Sequence, residues 1–188
     1  MTKPDSCRTC GYYNLSTGYL ADNVPERPRF ALVRAMPAKD ELVMLQPMAH
    51  AGGRAFERHY LLPLGIRAMD LLVTSVIRCV PNGREFPAGR EKGLAVKGCR
   101  QYDGALWAYN PDVFVLTYSP TMLFKQPNLE TFIKRALELV VKLSDDGHKV
   151  CLLLGDETKD AATPWLTGGM KKWSRHYWKG TYHELYKV

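Results

Sequence analysis

The 188-residue sequence has no apolar run near the roughly 20 residues that a membrane-spanning helix needs. A soluble, cytoplasmic protein is therefore expected. Nothing at its N-terminus has the charged and apolar pattern of a secretory signal, which argues against an oxidising compartment and structural disulfides. It has no internal repeat and no low-complexity tract, and 46% of its residues are hydrophobic, so residues 1–188 read as one domain able to bury a sizeable core. Acidic residues are in deficit: 19 Asp and Glu face 26 Lys and Arg, for a net charge of +7 and a pI near 9.2. That balance favours a polyanionic partner, most simply nucleic acid. A monomer is expected, with a protein partner left open.

Cysteine is scarce, yet its placement is informative. Cys7 and Cys10 form a Cys-x-x-Cys pair in SCRTCGYYNL, while Cys79 and Cys99 sit at the two ends of a segment rich in Pro, Gly, Arg and Lys. Thiolates arriving from three segments suit a metal centre, and both zinc and a four-iron four-sulfur cluster are compatible with four of them. Four unrelated buried cysteines are the plainer alternative. Cys151, in the apolar run KVCLLLG, reads as core.

Apolar runs of strand length occur at 29–33, 70–77, 111–118 and 149–154. Helical spacing occurs at 54–64, 96–110, 157–166 and most clearly 128–143, where Asn128 is placed to cap and Leu129, Phe132, Ile133, Ala136, Leu137, Val140 and Val141 share a face. Strands alternating with helices predict an α/β fold, a three-layer α/β/α sandwich around a mainly parallel four-stranded sheet. The site is expected at the carboxyl ends of the strands, on segments 34–53, 80–87, 119–126 and 155–160. The segment 80–98 is expected to be an exposed loop.

With these segments placed, the chain resembles the iron-sulfur branch of the uracil-DNA glycosylase superfamily. FALVRAMPAKDELVMLQPMAHAGG lies on that branch's strand, Gly-Glu-Ala-Pro-Gly loop and Pro-Phe-Val-Gly motif, keeping Pro37, Asp40, Glu41, Pro47 and Gly53. LLVTSVIRCVPNGREFP lies on its strand, Cys and Pro-rich loop, and VFVLTYSPTMLFKQPNLETFIKRAL on its strand, His-Pro-Ser motif and helix. The resemblance implies a 4Fe-4S cluster on Cys7, Cys10, Cys79 and Cys99, DNA as partner and a base flipped from the stack as substrate.

The departures bear on activity. The motif's acidic residue falls on Ala35, its uracil-stacking Phe on Met48, its His on Ser119, and its base-reading Asn on Arg84, with Asn82 two residues away. The resemblance thus implies a base pocket bordered by Met36, Pro37, Met48, Asn82 and Arg84. Asp40, Glu41, His50 and Ser119 are the candidates for its chemistry. KVCLLLGDETKDAATPWL resembles the superfamily's strand-Gly-x-x-Ala segment but follows the His-Pro-Ser-like strand instead of preceding it, which makes His183 a rival to Ser119.

Arg90, Lys92 and Lys97 are expected to meet phosphates. Lys171, Lys172, Trp173, Arg175, His176, Tyr177 and Trp178 interleave cations with rings, a composition suited to single strands or flipped bases. Asp156 is expected to cap the helix that follows it. The function expected is DNA binding with action on a flipped uracil or modified pyrimidine; the alternative is an inactive nucleic-acid-binding or docking module that keeps the fold.

Overall fold

The computed structural model describes residues 3–83, 85–159, 161, 174–178 and 181–187, the last two stretches as backbone alone. The predicted sandwich is present. Four strands, β2 (Ala31–Arg34), β3 (Leu72–Ser75), β5 (Val113–Thr117) and β6 (Val150–Leu154), pair in parallel in the order β3-β2-β6-β5. They read as unbroken apolar runs because both faces of a parallel sheet are covered. Their side chains alternate between two cores. Ala31, Val33, Phe114, Leu116, Cys151 and Leu153 pack with Ala95, Val96 and Leu106 on one side; Leu32, Val113, Val115, Val150 and Leu152 pack with Phe56, Ile133, Leu137 and Val140 on the other.

The sheet is wider than expected. The stretch 168–187, expected as a basic aromatic surface, supplies β7 (Ser174–Trp178) and β8 (Thr181–Lys187), which extend the sheet antiparallel beyond β5 to six strands. Short strands β1 (Ser16–Thr17) and β4 (Val80–Pro81) form a separate antiparallel pair that ties the N-terminal segment to the chain after Cys79.

The segment expected as loop from 80 to 98 folds into helix α3 (Gly89–Cys99), and α4 (Gly104–Tyr109) follows after a tight turn. Ala95, Val96 and Cys99 form a narrow buried stripe on α3, too short to stand out among Arg90, Glu91, Lys92 and Lys97. α1 (Lys39–Met44) lies inside the loop after β2. α2 (Ala51–Phe56) starts earlier than its apolar spacing suggested and continues through a wide turn at Glu57–Leu61 to Gly65, whose φ of 71° ends it. α5 (Glu130–Asp145) carries the predicted apolar face, but Pro127–Leu129 forms a tight turn and Asn128 makes no cap. Among the described residues no helix is long and apolar enough to cross a membrane.

Candidate functional site

A cavity of about 1050 Å³ opens where β2, β5 and β6 end, between the loops that follow them. Ligand sites of parallel sheets lie at this edge because the loops diverge there. Of the expected pocket residues, Met36, Pro37, Met48, His50 and Ser119 line it, as does Ala35.

The loop after β2 is shaped from beneath by Glu41. Its carboxylate is fully buried: Oε1 accepts from the Arg34 guanidinium and the Met48 N–H and lies 3.1 Å from His50 Nδ1, while Oε2 accepts from the Ala38 N–H at 2.6 Å. The His50 contact is close enough for an ion pair but lies off the line of a good hydrogen bond. Burial alone would raise the Glu41 carboxyl. The His50 ring, the Arg34 guanidinium and the Ala38 N–H outweigh it and bring the group down from 4.5 to about 2. Glu41 is therefore a fixed anion that organises the loop, with its oxygens committed to protein donors. It sets Met48 against the cavity at a φ of 67°, and Gly53 is required beside it because a Cβ there would lie 2.3 Å from Met48 O.

Asp40 is exposed and does not line the cavity. Asn82 also lies away from it: its amide donates to Asn14 O at 3.3 Å and its backbone N–H to Leu15 O at 3.0 Å. These bonds hold the β1–β4 corner, so Asn82 does not take the place of the base-reading Asn. Phe86, which sequence reasoning passed over, lines the cavity from the same segment. Arg84, Lys171, Lys172 and Trp173 lie outside the described residues, as do the side chains of Arg175, His176, Tyr177 and Trp178. Arg90 and Lys97 are exposed on α3 and Lys92 is half-buried there, none of them lining the cavity.

β6 lies between β2 and β5, so the Gly155 turn and the Ser119 turn emerge side by side although they follow one another in reversed order along the chain. Gly155 N–H donates to Thr117 O at 2.8 Å, and Ser119 Oγ is 2.8 Å from Thr121 Oγ1. Asp156 makes no cap; its exposed carboxylate pairs with Lys159 at 3.1 Å. β8 pairs Glu184 with Leu116, so His183 falls one step nearer the carboxyl end of β5.

The four cysteines meet at a separate site that shares no lining residue with the cavity at the strand ends. Cys7, Cys10, Cys79 and Cys99 line one small cavity, with Tyr12, Ser16 and Gly98 between them. Gly98 has to be glycine for this approach, since a Cβ there would stand 2.3 Å from Cys10 Sγ. Tyr102 Oη is 3.1 Å from Cys7 Sγ, and the Arg78 N–H points at Cys99 Sγ at 3.5 Å. The Cys79 and Cys99 thiols interact directly, which lowers Cys79 and raises Cys99. Among the described residues no three His, Cys, Asp or Glu side chains are gathered tightly enough to hold a single metal ion. Cys151 is core as expected, its thiol raised by burial.

A residue that the sequence did not single out holds this region. Arg78 is 1% exposed. Its guanidinium donates to both oxygens of Asp22 at 3.0 Å, to Asp103 Oδ1 at 3.0 Å, to Thr74 Oγ1 at 2.8 Å, and to the carbonyls of Cys99 and Tyr102 at 3.3 and 3.1 Å. Burial would strip its charge, but the two carboxylates hold it on. Asp22, which engages it with both oxygens, is the stronger partner; burial raises Asp103 more than its contact with Arg78 lowers it. The three segments that deliver Cys7 and Cys10, Cys79, and Cys99 are thereby joined next to the thiols.

No protein-family model matches the chain. The comparison with curated proteins agrees with the fold: over 149 residues, 77% of this chain and 72% of that protein, the chain is 28% identical to the type-4 uracil-DNA glycosylase of Archaeoglobus fulgidus, of which it is a distant relative.

Proposed function

We propose that this protein binds DNA and receives a base, flipped out of the stack, in the cavity at the ends of β2, β5 and β6, with an iron-sulfur cluster holding the adjoining segments. The observation that carries the reading is the joint presence of that cavity and of four thiols lining one site, in a chain of net charge +7 distantly related to a DNA glycosylase. The base ring would lie between the apolar walls of Met36, Met48, Phe56 and Phe86. His50, steadied by Glu41, is the group best placed to meet negative charge developing on a departing base. Ala35 and Ser119 offer neither the charge nor the ring that uracil excision employs, and Asp40 is turned away, so the pocket is altered from that of a uracil-excising enzyme.

The donor set fits the cluster. Four thiolates are the usual shell of a four-iron four-sulfur cluster. What supports the cluster is the chemistry of the set, four thiols lining one cavity with no carboxylate or imidazole among the lining residues. Bound there, the cluster would supply a rigid link between the N-terminal segment, the chain after β3 and the end of α3.

Protein purified anaerobically is expected to be brown with about four irons per chain, and to bind labelled oligonucleotides with an affinity that falls steeply with salt. Colourless protein carrying stoichiometric zinc would refute the cluster, and salt-independent or absent DNA binding would refute the partner. Uracil-containing strands treated with the cluster-bearing protein are expected to yield few alkali-labile sites, and those few to vanish in His50→Ala. Rapid release of uracil that His50→Ala leaves intact would show that the excision site lies elsewhere.

A further inference from the structure

Two polar groups line one end of the cavity, one of them buried and without a hydrogen-bond partner among the described residues. Thr117 ends β5, lines the cavity and is 6% exposed, yet its Oγ1 has no hydrogen-bond partner among the described residues. A buried hydroxyl left without a partner costs stability, and a ligand that fills the cavity would satisfy it. Beside it, Gly155 leaves β6 with a φ of 92°. A Cβ built on Gly155 would meet Glu157 Oε2 at 2.8 Å and Ser119 Cβ at 3.3 Å, so the Glu157 carboxylate is folded back over the strand end, toward the Ser119 turn. Asp156 next to it is matched by Lys159, whereas Glu157 has no ion pair among the described residues. Glu157 is exposed where it lines the cavity, so its carboxylate is open to a ligand that enters there.

We infer that Thr117 and Glu157 form a recognition notch for an amino group carried by the base, either the ring amine of a cytosine-type base or an ammonium on a pyrimidine substituent. The inference rests on the proposed base-receiving function and names the substrate class of that site. An ionised carboxylate only accepts hydrogen bonds. It repels the carbonyl edges of uracil and thymine and welcomes an N–H donor, as carboxylates do when they read the cytosine amine. The Thr117 hydroxyl serves as donor or acceptor to the neighbouring ring atom. The apolar walls of Met48 and Phe86 then cover the faces of the ring, where no hydrogen bond is needed.

The test measures fluorescence anisotropy of the full chain with four single strands, all thymine except at one central position. That position carries cytosine, 5-aminomethyluracil, thymine or uracil. The strand with the cytosine or with the aminomethyl group is expected to bind about tenfold more tightly than the thymine strand, the scale of one good base contact. Which of the two does so separates a ring amine from an ammonium. Glu157→Ala is expected to bring that strand down to the affinity of the thymine strand. Thr117→Val, which keeps the shape and removes the hydroxyl, is expected to weaken the preference while leaving the thermal midpoint unchanged or raised. Equal affinity for all four strands, or a preference that survives Glu157→Ala, overturns the notch and leaves the proposed function standing. A large fall in midpoint for Thr117→Val assigns the hydroxyl to the fold and also overturns it. Failure to bind any strand overturns the proposed function together with the notch.

Discussion

Arg78→Met is expected to cost about 3–5 kcal/mol of folding stability, the usual loss when one member of a buried ionic group is removed. The guanidinium is enclosed by Asp22 and Asp103, and both carboxylates would be left facing a side chain that donates nothing. Thr74 and the carbonyls of Cys99 and Tyr102 lose a donor at the same time. Such a loss removes a large part of the 5–15 kcal/mol that holds an ordinary domain together. Arg78→Lys is expected to rescue little, because an ammonium is a point charge without the planar fork that reaches acceptors on five residues at once. Urea titration followed by circular dichroism measures the effect, and iron retained on gel filtration measures its reach into the thiol site. A midpoint within error of the unsubstituted protein would show that the triad contributes nothing net.

Glu41→Gln is expected to be nearly as damaging, and for a related reason. Arg34 is 8% exposed, and with an amide in place of the carboxylate its charge is buried without a counter-ion. One face of the amide also presents N–H groups to the N–H of Ala38 or Met48, so at least one donor goes unsatisfied. The pH dependence gives an independent reading. Because the folded carboxyl titrates near 2 instead of 4.5, its contribution, about 3 kcal/mol, is complete above the unfolded value and is lost as pH falls from about 5 toward 2. Stability measured between pH 6 and pH 3 should therefore fall more steeply in the unsubstituted protein than in Glu41→Gln. Parallel curves would show that Glu41 titrates normally. The same substitution should loosen His50 and Met48, so affinity for DNA bases is expected to fall with stability.

These two residues show where sequence reading stopped. Glu41 stands in the loop after β2, where its type suggests a reserve catalytic acid, a role that suits a carboxylate facing solvent or substrate. The structure turns it inward, because Arg34 at the end of β2 and the Met48 N–H arrive from either side of it. Arg78 gave no signal, being a single cation in a basic chain; its partners lie 56 and 25 residues away. Asp156 and Glu157 both follow the strand, and spacing does not say which carboxylate folds back. Asn82 offered a plausible replacement for a base-reading amide until the β1–β4 pairing drew it to Asn14.

The sequence by itself determined the sandwich and the membership of the thiol site. Strands covered on both faces must be apolar throughout, so β2, β3, β5 and β6 are legible as runs without any knowledge of their neighbours. Cysteines are few enough that their placement is a pattern. Tertiary structure alone decided the sheet order that sets the Gly155 and Ser119 turns side by side, the antiparallel edge formed by β7 and β8, and the burial of Arg78 and Glu41. The physical reason is range. Apolar patterning reports what a residue needs from its environment, whereas hydrogen bonds and ion pairs are fixed by which distant segment arrives next to it, and that is settled by the packing of the whole sheet.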